Sequence, residues 1–87
     1  MTNYRLLIDF EVIGFIETRP RKDQLALRNR FAAIRDFPAN FSDFVENDTE
    51  GRRVDIHIFG KYAIKYWQDH ADRDIKVLHV HLADRAL

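Results

Sequence analysis

The chain has 87 residues, enough for one domain with a single hydrophobic core. Its 14 basic and 14 acidic side chains cancel, so the overall charge does not indicate a strongly cationic nucleic-acid-binding protein. Cysteine is absent, which excludes disulfides and thiolate chemistry and is consistent with the cytoplasm. No apolar run approaches the roughly 20 residues of a membrane span, and the start does not resemble a signal peptide. We therefore expect one cytoplasmic domain over residues 1–87, without membrane association.

The chain opens with a predicted strand and a short helix. Residues 4–10 (YRLLIDF) have strand composition, and their alternation places Leu6, Ile8 and Phe10 on one face. Residues 11–18 could extend this strand or form a helix, and we favour the helix.

A longer helix is predicted over residues 21–37. It follows Pro20, which suits a first helical turn, and Pro38 stops it. Residues 39–50 then form a connector that ends in a turn. The apolar residues that recur at helical spacing are Leu25, Leu27, Phe31, Ile34 and Phe37.

The last third of the chain predicts three strands, at residues 52–59, 62–68 and 75–83, joined by tight turns. Ile75 and Val77 break the alternation of the last strand, which predicts either burial on both faces or a β-bulge. The inward set by alternation is Val54, Ile56, Ile58, Tyr62, Ile64, Tyr66, Leu78, Val80 and Leu82. The fold class is therefore α+β, with a small, mostly antiparallel sheet of about four strands and an N-terminal helical hairpin packed on one face.

The opposite face of this sheet is the predicted functional surface. Cleaving RNA through its own 2′-hydroxyl needs a base, an acid and a group that stabilises the charged phosphorane. His79 and His81 project the same way and could supply the base and the acid. A zinc ion could also bind there, but its third ligand depends on the register, so we predict no metal and no cofactor. Candidate residues for binding RNA or a partner are Arg52, Arg53, His57, Lys61, Lys65 and Trp67.

Five segments in this order resemble the RelE/ParE toxin superfamily of bacterial type II toxin–antitoxin systems. They are the opening strand (YRLLIDF), the helix ending in proline (RNRFAAIRDFP), and three strands (GRRVDIHIF, GKYAIKY and IKVLHVHL). The resemblance implies a toxin that cuts ribosome-bound mRNA or inhibits DNA gyrase. It also implies an antitoxin that covers basic residues such as Arg53, Lys61 and Lys65.

Two departures from the family pattern bear on activity. Family members usually carry an arginine where this chain has Ala63. At the end of the closing strand, where the family's RNases cluster Arg, His or Tyr, only His81 and Arg85 are suitable. We therefore take His81, His79 and Arg85 as the candidate catalytic residues and leave open whether the chain is an endoribonuclease.

Two further interpretations stay open. The chain could be a RelE/ParE-like binding module that has lost catalysis, as Ala63 suggests. It could also be a small structural α+β protein that forms a homodimer or pairs a sheet edge with a partner strand.

Overall fold

The computed structural model describes residues 4–83, which form two α-helices and one five-stranded sheet. The first half contains β1 (Arg5–Ile8), α1 (Phe10–Glu17), α2 (Arg21–Asp36) and a 3-10 turn (Pro38–Phe41). The second half contains β2 (Phe44–Asn47), β3 (Arg53–Phe59), β4 (Tyr62–Asp69) and β5 (Asp74–Leu82). Neither α-helix in this part of the chain has the length and apolar character needed to cross a membrane.

The sheet has the strand order β1-β5-β4-β3-β2. β1 runs parallel to β5, and the other neighbours are antiparallel. The predicted α+β class and mostly antiparallel sheet are confirmed, but the expected number of four strands is wrong. The fifth strand is β2, which lies within the predicted connector. Its four residues are all exposed, so no buried alternation marked it in the sequence.

The first strand ends earlier than predicted because Asp9 caps α1. Its backbone is extended, and a carboxylate oxygen accepts a 2.9 Å hydrogen bond from the Glu11 N–H. The chain therefore turns into helix at Phe10, whose side chain is 89% exposed and does not continue the face of Leu6 and Ile8. The predicted short helix is confirmed.

The core forms between the helices and one face of the sheet, which we call the helix face. From α2 it takes Leu27, Phe31 and Ile34, whereas Leu25 and Phe37, expected to join them, are exposed. Both helices and the sheet contribute to the buried apolar cluster. Its members are Val12, Ile16, Leu27, Phe31, Ile34, Tyr62, Ile64, Tyr66, Ile75, Val77 and Val80.

A β-bulge in β5 explains the broken alternation of that strand. Lys65 pairs with His79, but the next residue, Tyr66, pairs with Val77, so Leu78 is the extra residue. The bulge brings Val77 to the helix face and removes Leu78 from the inward set that we predicted. Of the two alternatives for this strand, the bulge is the correct one.

The predicted inward face of β3 is wrong. Residues opposite each other in an antiparallel pair share a face. Because Asp55 pairs with Tyr66 and His57 pairs with Ile64, the polar residues of β3 lie on the helix face. The three apolar residues lie on the other side of the sheet, which we call the open face, and they are Val54, Ile56 and Ile58.

Polar partners stabilise Asp55 and His57 on the helix face. The Asp55 carboxylate accepts hydrogen bonds from Ser42 Oγ at 2.7 Å and from Gln68 Nε2 at 3.2 Å. His57 Nδ1 lies 2.9 Å from an Asp43 carboxylate oxygen. A buried polar group is tolerated when it is hydrogen-bonded, so these contacts permit a register that apolar alternation alone disfavours.

Two isoleucines on opposite faces test this assignment. Ile64→Asp should unfold the domain, because Ile64 is fully buried and an unpaired charge there costs several kcal/mol. Ile58→Asp should keep the fold, because Ile58 is 39% exposed on the open face. Circular dichroism and urea denaturation measure both effects. A folded Ile64→Asp protein, or an unfolded Ile58→Asp protein, would contradict the assignment of faces.

Candidate functional site on the open face

The candidate site lies where β4 and β5 pair on the open face. His79 is directly opposite Lys65, and His81 is directly opposite Ala63. The bulge at Leu78 precedes both histidines and does not disturb their common direction. The two imidazole rings are 5.1 Å apart between centroids and are tilted by 35°. The predicted neighbourhood of His79, His81 and Lys65 is therefore present.

The two histidines have different environments. The His79 side chain is 47% exposed, and its Nδ1 lies 3.9 Å from a Glu11 carboxylate oxygen at the start of α1. His81 is more enclosed, and its Nδ1 is buried with no hydrogen-bond partner among residues 4–83. The two rings therefore have different access to water and to a ligand.

Burial lowers the pKa of His81 below its ordinary value of 6.5. The neighbouring His79 and Lys65 lower this pKa further because they are like charges, while Glu46 opposes them. His81 is therefore neutral near pH 7, and a neutral imidazole can accept a proton.

Trp67 of β4, together with two cations that contact its ring, extends the site. Trp67 has the Arg52 guanidinium carbon 4.5 Å from its ring centroid and the Lys76 ammonium 4.8 Å from it. The two cation–π contacts come from opposite sides of β4, because Arg52 precedes β3 and Lys76 belongs to β5. A base that stacks on Trp67 would compete with these cations for the ring.

The three cations on this part of the open face, Arg52, Lys65 and Lys76, each have a carboxylate partner. Lys65 Nζ donates a hydrogen bond to a Glu46 carboxylate oxygen at 3.1 Å. Arg52 Nε likewise lies 2.7 Å from an Asp48 carboxylate oxygen. Lys76 lies 3.1 Å from Asp69. A phosphate that binds to these cations must displace a carboxylate, so the open face is less cationic than its sequence indicates.

Three predicted binding residues lie elsewhere. Arg53 and His57 are on the helix face because of the β3 register. Lys61 is in the β3–β4 turn, and its ammonium lies 3.5 Å from Asp23 of α2, so it also belongs to the helix side. Of the three cations expected beneath an antitoxin, only Lys65 is on the open face. Arg85 lies outside the described residues.

His57 is instead part of a buried group beneath the helix side of β3. It is 8% exposed, and its ring lies edge-on to Phe41 with 5.1 Å between centroids. Its partner Asp43 also accepts the Ile58 N–H at 2.8 Å. That backbone hydrogen bond, followed by the contact with His57, lowers the pKa of Asp43. These contacts hold the 3-10 turn and β2 against β3.

Three residues near the site were not predicted from the sequence. Glu46 lies on the unrecognised strand β2, and Lys76 lies just before the bulge, where alternation failed. Glu11 belongs to α1, whose placement beside β5 depends on tertiary structure. The sequence carries a signal only for Lys76. The broken alternation at Ile75 and Val77 indicates a bulge, and a bulge after Lys76 places this residue opposite Trp67.

The candidate metal site among residues 4–83 is a group of three carboxylates around the β4–β5 turn, from Asp69, Asp72 and Asp74. The group does not include the histidines. Asp74 is paired with Arg5 at 2.9 Å, and Asp69 is paired with Lys76. Since two of its three members already have cationic partners, this group does not require a metal ion. The expectation of no metal and no cofactor stays a prediction.

Comparison with known proteins identifies the fold. No family model matches the sequence, and no curated protein matches it. Among solved structures, the crystal structure of the archaeal RelE–RelB complex from Pyrococcus horikoshii OT3 is similar, with a TM-score of 0.81 and 22% sequence identity. The alignment covers 99% of this chain and 100% of the archaeal chain. The fold is RelE-like. At this identity the similarity shows a RelE-like architecture and, by itself, no more than the fold.

The environment of His81 can be measured by NMR. Its titration midpoint should lie below 6.5, because burial and two neighbouring cationic groups disfavour the imidazolium. Lys65→Met should raise the midpoint, since it removes one like charge. Lys61→Met, which changes a lysine on the helix side, should leave it unchanged. A midpoint at or above 6.5 in the unmodified protein would contradict the site geometry.

Proposed function

We propose that this chain is the toxin of a type II toxin–antitoxin pair of the RelE/ParE kind and acts in the cytoplasm. The observation that carries this proposal is the RelE-like fold over the whole chain, shared with a protein solved as a RelE–RelB complex. The archaeal source of that complex means that the fold by itself does not assign the chain to bacteria.

The proposed activity is cleavage of ribosome-bound mRNA at the open face. His81, neutral near pH 7, would accept the proton of the RNA 2′-hydroxyl. His79, more exposed and beside Glu11, would donate a proton to the leaving 5′-oxygen. Lys65 would bind the phosphate after releasing Glu46. The ring centroids are 5.1 Å apart, so both imidazoles would approach one phosphate group from the same side.

Inhibition of DNA gyrase is the second candidate function. The observation that favours it is the apolar contribution of β3 to the open face, where Ile56 and the exposed Ile58 lie instead of cations. Ala63 likewise provides no charge opposite His81. An apolar surface suits a protein target better than a phosphate backbone. The same features fit a binding module that has lost catalysis.

An antitoxin is the proposed partner in either case. Lys65 and Trp67 lie on the open face, and a partner that covered them would block access to the histidine pair.

A growth assay tests the toxin and its partner. Inducing this chain alone should arrest growth, and co-expression of the adjacent gene should restore growth and give a complex that survives purification. The unfolded Ile64→Asp variant is the matched negative control. Normal growth with abundant soluble protein, and no partner from the adjacent gene, would contradict the toxin proposal.

Cleavage of mRNA on ribosomes separates the two activities. His81→Ala and His79→Ala should each slow cleavage by about 100- to 10,000-fold, because each removes a proton-transfer group. His70→Ala should have no effect, since His70 lies in the β4–β5 turn beside Tyr4. Ala63→Arg should accelerate cleavage by adding a cation opposite His81, provided that its circular dichroism spectrum is unchanged.

Primer extension on a defined transcript measures these rates. Robust cleavage that neither histidine substitution affects would remove both residues from the mechanism. A protein that leaves mRNA intact but inhibits supercoiling by DNA gyrase would support the second candidate function.

A further inference from the structure

The side of α1 that faces away from the core carries exposed apolar residues. The core takes Val12 and Ile16 from this helix. We call the opposite side the outer face of α1, and its residues, which follow one another at helical spacing, are Phe10, Ile13, Gly14 and Glu17. Phe10 is 89% exposed and Ile13 is 42% exposed. Two large apolar side chains together at the surface are typical of a contact with another molecule.

A cavity opens beside the outer face of α1. It lies between β1, α1 and α2, and its volume is about 360 Å³. Its apolar walls include Ile8, Ile13 and Phe31, and its charged groups are Glu17 and Arg28. A protein cavity of about 150 Å³ already accommodates benzene. A phenylalanine ring from another molecule therefore fits here.

The exposed phenylalanine and the cavity are placed so that two copies of this helix are complementary. Phe10 and Glu17, which lines the cavity, are about 10 Å apart along α1. Two antiparallel α1 helices can be related by a two-fold axis that passes between Ile13 and Gly14. Position 10 of each copy then faces position 17 of the other, and position 13 faces position 14. Each Phe10 therefore meets the other copy's cavity.

Gly14 permits the close approach that this arrangement needs. Glycine inside a helix is destabilising relative to alanine. Within the chain there is open space where a side chain at Gly14 would lie, so the chain's own packing does not require a glycine. In the antiparallel pair, Ile13 of one copy lies against the backbone of the other copy at Gly14. A contact between two helices thus accounts for this glycine.

The charges beside the outer face also fit a second copy. Within residues 4–83, Arg28 has no carboxylate partner and Asp9 has no cationic partner. Helical spacing places Asp9 on the same side of α1 as Ile13, which is the side of the cavity. The two-fold axis keeps this side of one copy beside the same side of the other. Asp9 of each copy therefore approaches Arg28 of the other, and opposite charges meet twice.

We propose that the outer face of α1 binds a second copy of this chain, in a symmetric antiparallel pair in which each Phe10 occupies the other copy's cavity. The contact is centred on one short helix, so it gives a reversible dimer with a dissociation constant in the micromolar range. The antiparallel direction also brings the positive N-terminal end of each α1 toward Glu17 of the other copy. This interface does not use the histidine pair and does not depend on the proposed function.

Sedimentation velocity of the full chain, from micromolar to millimolar concentration, measures the dimerisation. Phe10→Ala should weaken the dimer about 100-fold, because the symmetric contact loses the ring twice and each loss costs about tenfold. Gly14→Gln should also weaken it, since the longer side chain separates the helices. The matched control is Phe37→Ala, which removes a phenylalanine that is 60% exposed at the end of α2 and should leave the equilibrium unchanged. Circular dichroism should show the same fold for all three variants.

Cross-linking tests the orientation, because the chain has no cysteine of its own. A short bis-maleimide should join two copies of Ile13→Cys, which lies next to the two-fold axis, and should not join two copies of Thr49→Cys in the turn after β2. A monomer at every concentration, a dimer that Phe10→Ala leaves intact, or cross-linking through Thr49→Cys alone would overturn the proposal. A chain that stays monomeric, and whose Phe10→Ala variant loses the protein encoded by the adjacent gene, would assign this face to that partner and would also overturn it.

Discussion

The pairing of β3 with β4 determines which side chains can act together in this protein. Asp55 lies opposite Tyr66 and His57 lies opposite Ile64, so both polar residues share the helix face with the core. A shift by one residue would exchange the two faces of β3 and bring His57 toward the open face. The hydrogen bonds from Ser42 and Gln68 to Asp55 oppose that shift, because a buried carboxylate without partners is costly.

The register has a direct chemical consequence for the open face. This surface receives histidines from β5 and a lysine from β4, but only apolar residues from β3. The cations Lys65, Arg52 and Lys76 are each paired with a carboxylate, and Arg52 and Lys76 also contact the Trp67 ring. The site therefore combines two groups capable of proton transfer with limited capacity for phosphate. The histidine pair suits an RNA target, and the scarcity of free cations suits a protein target. For this reason we consider both kinds of target for this protein.

Local sequence signals predicted much of the architecture but less of the site. The helix from residue 21, the three final strands and the irregularity at Ile75 and Val77 follow from periodicity and turn residues, and the structure confirms them. The faces of β4 and the common direction of His79 and His81 were also predictable. Alternation failed at β3, because partners 13 or 14 residues away stabilise its buried polar groups. It also failed to reveal β2, whose pairing depends on β3 and not on its own composition.

Chemical modification of histidines tests the central claim, the register of β3, most directly. Diethyl pyrocarbonate should modify the exposed His70 and His79 in the folded protein, as followed by mass spectrometry of peptides. His57 should react much more slowly, because its ring is buried between Asp43 and Phe41, and it should reach the rate of His79 only after denaturation. Modification of His57 in the folded protein as fast as His79 would place it on the open face and contradict the account.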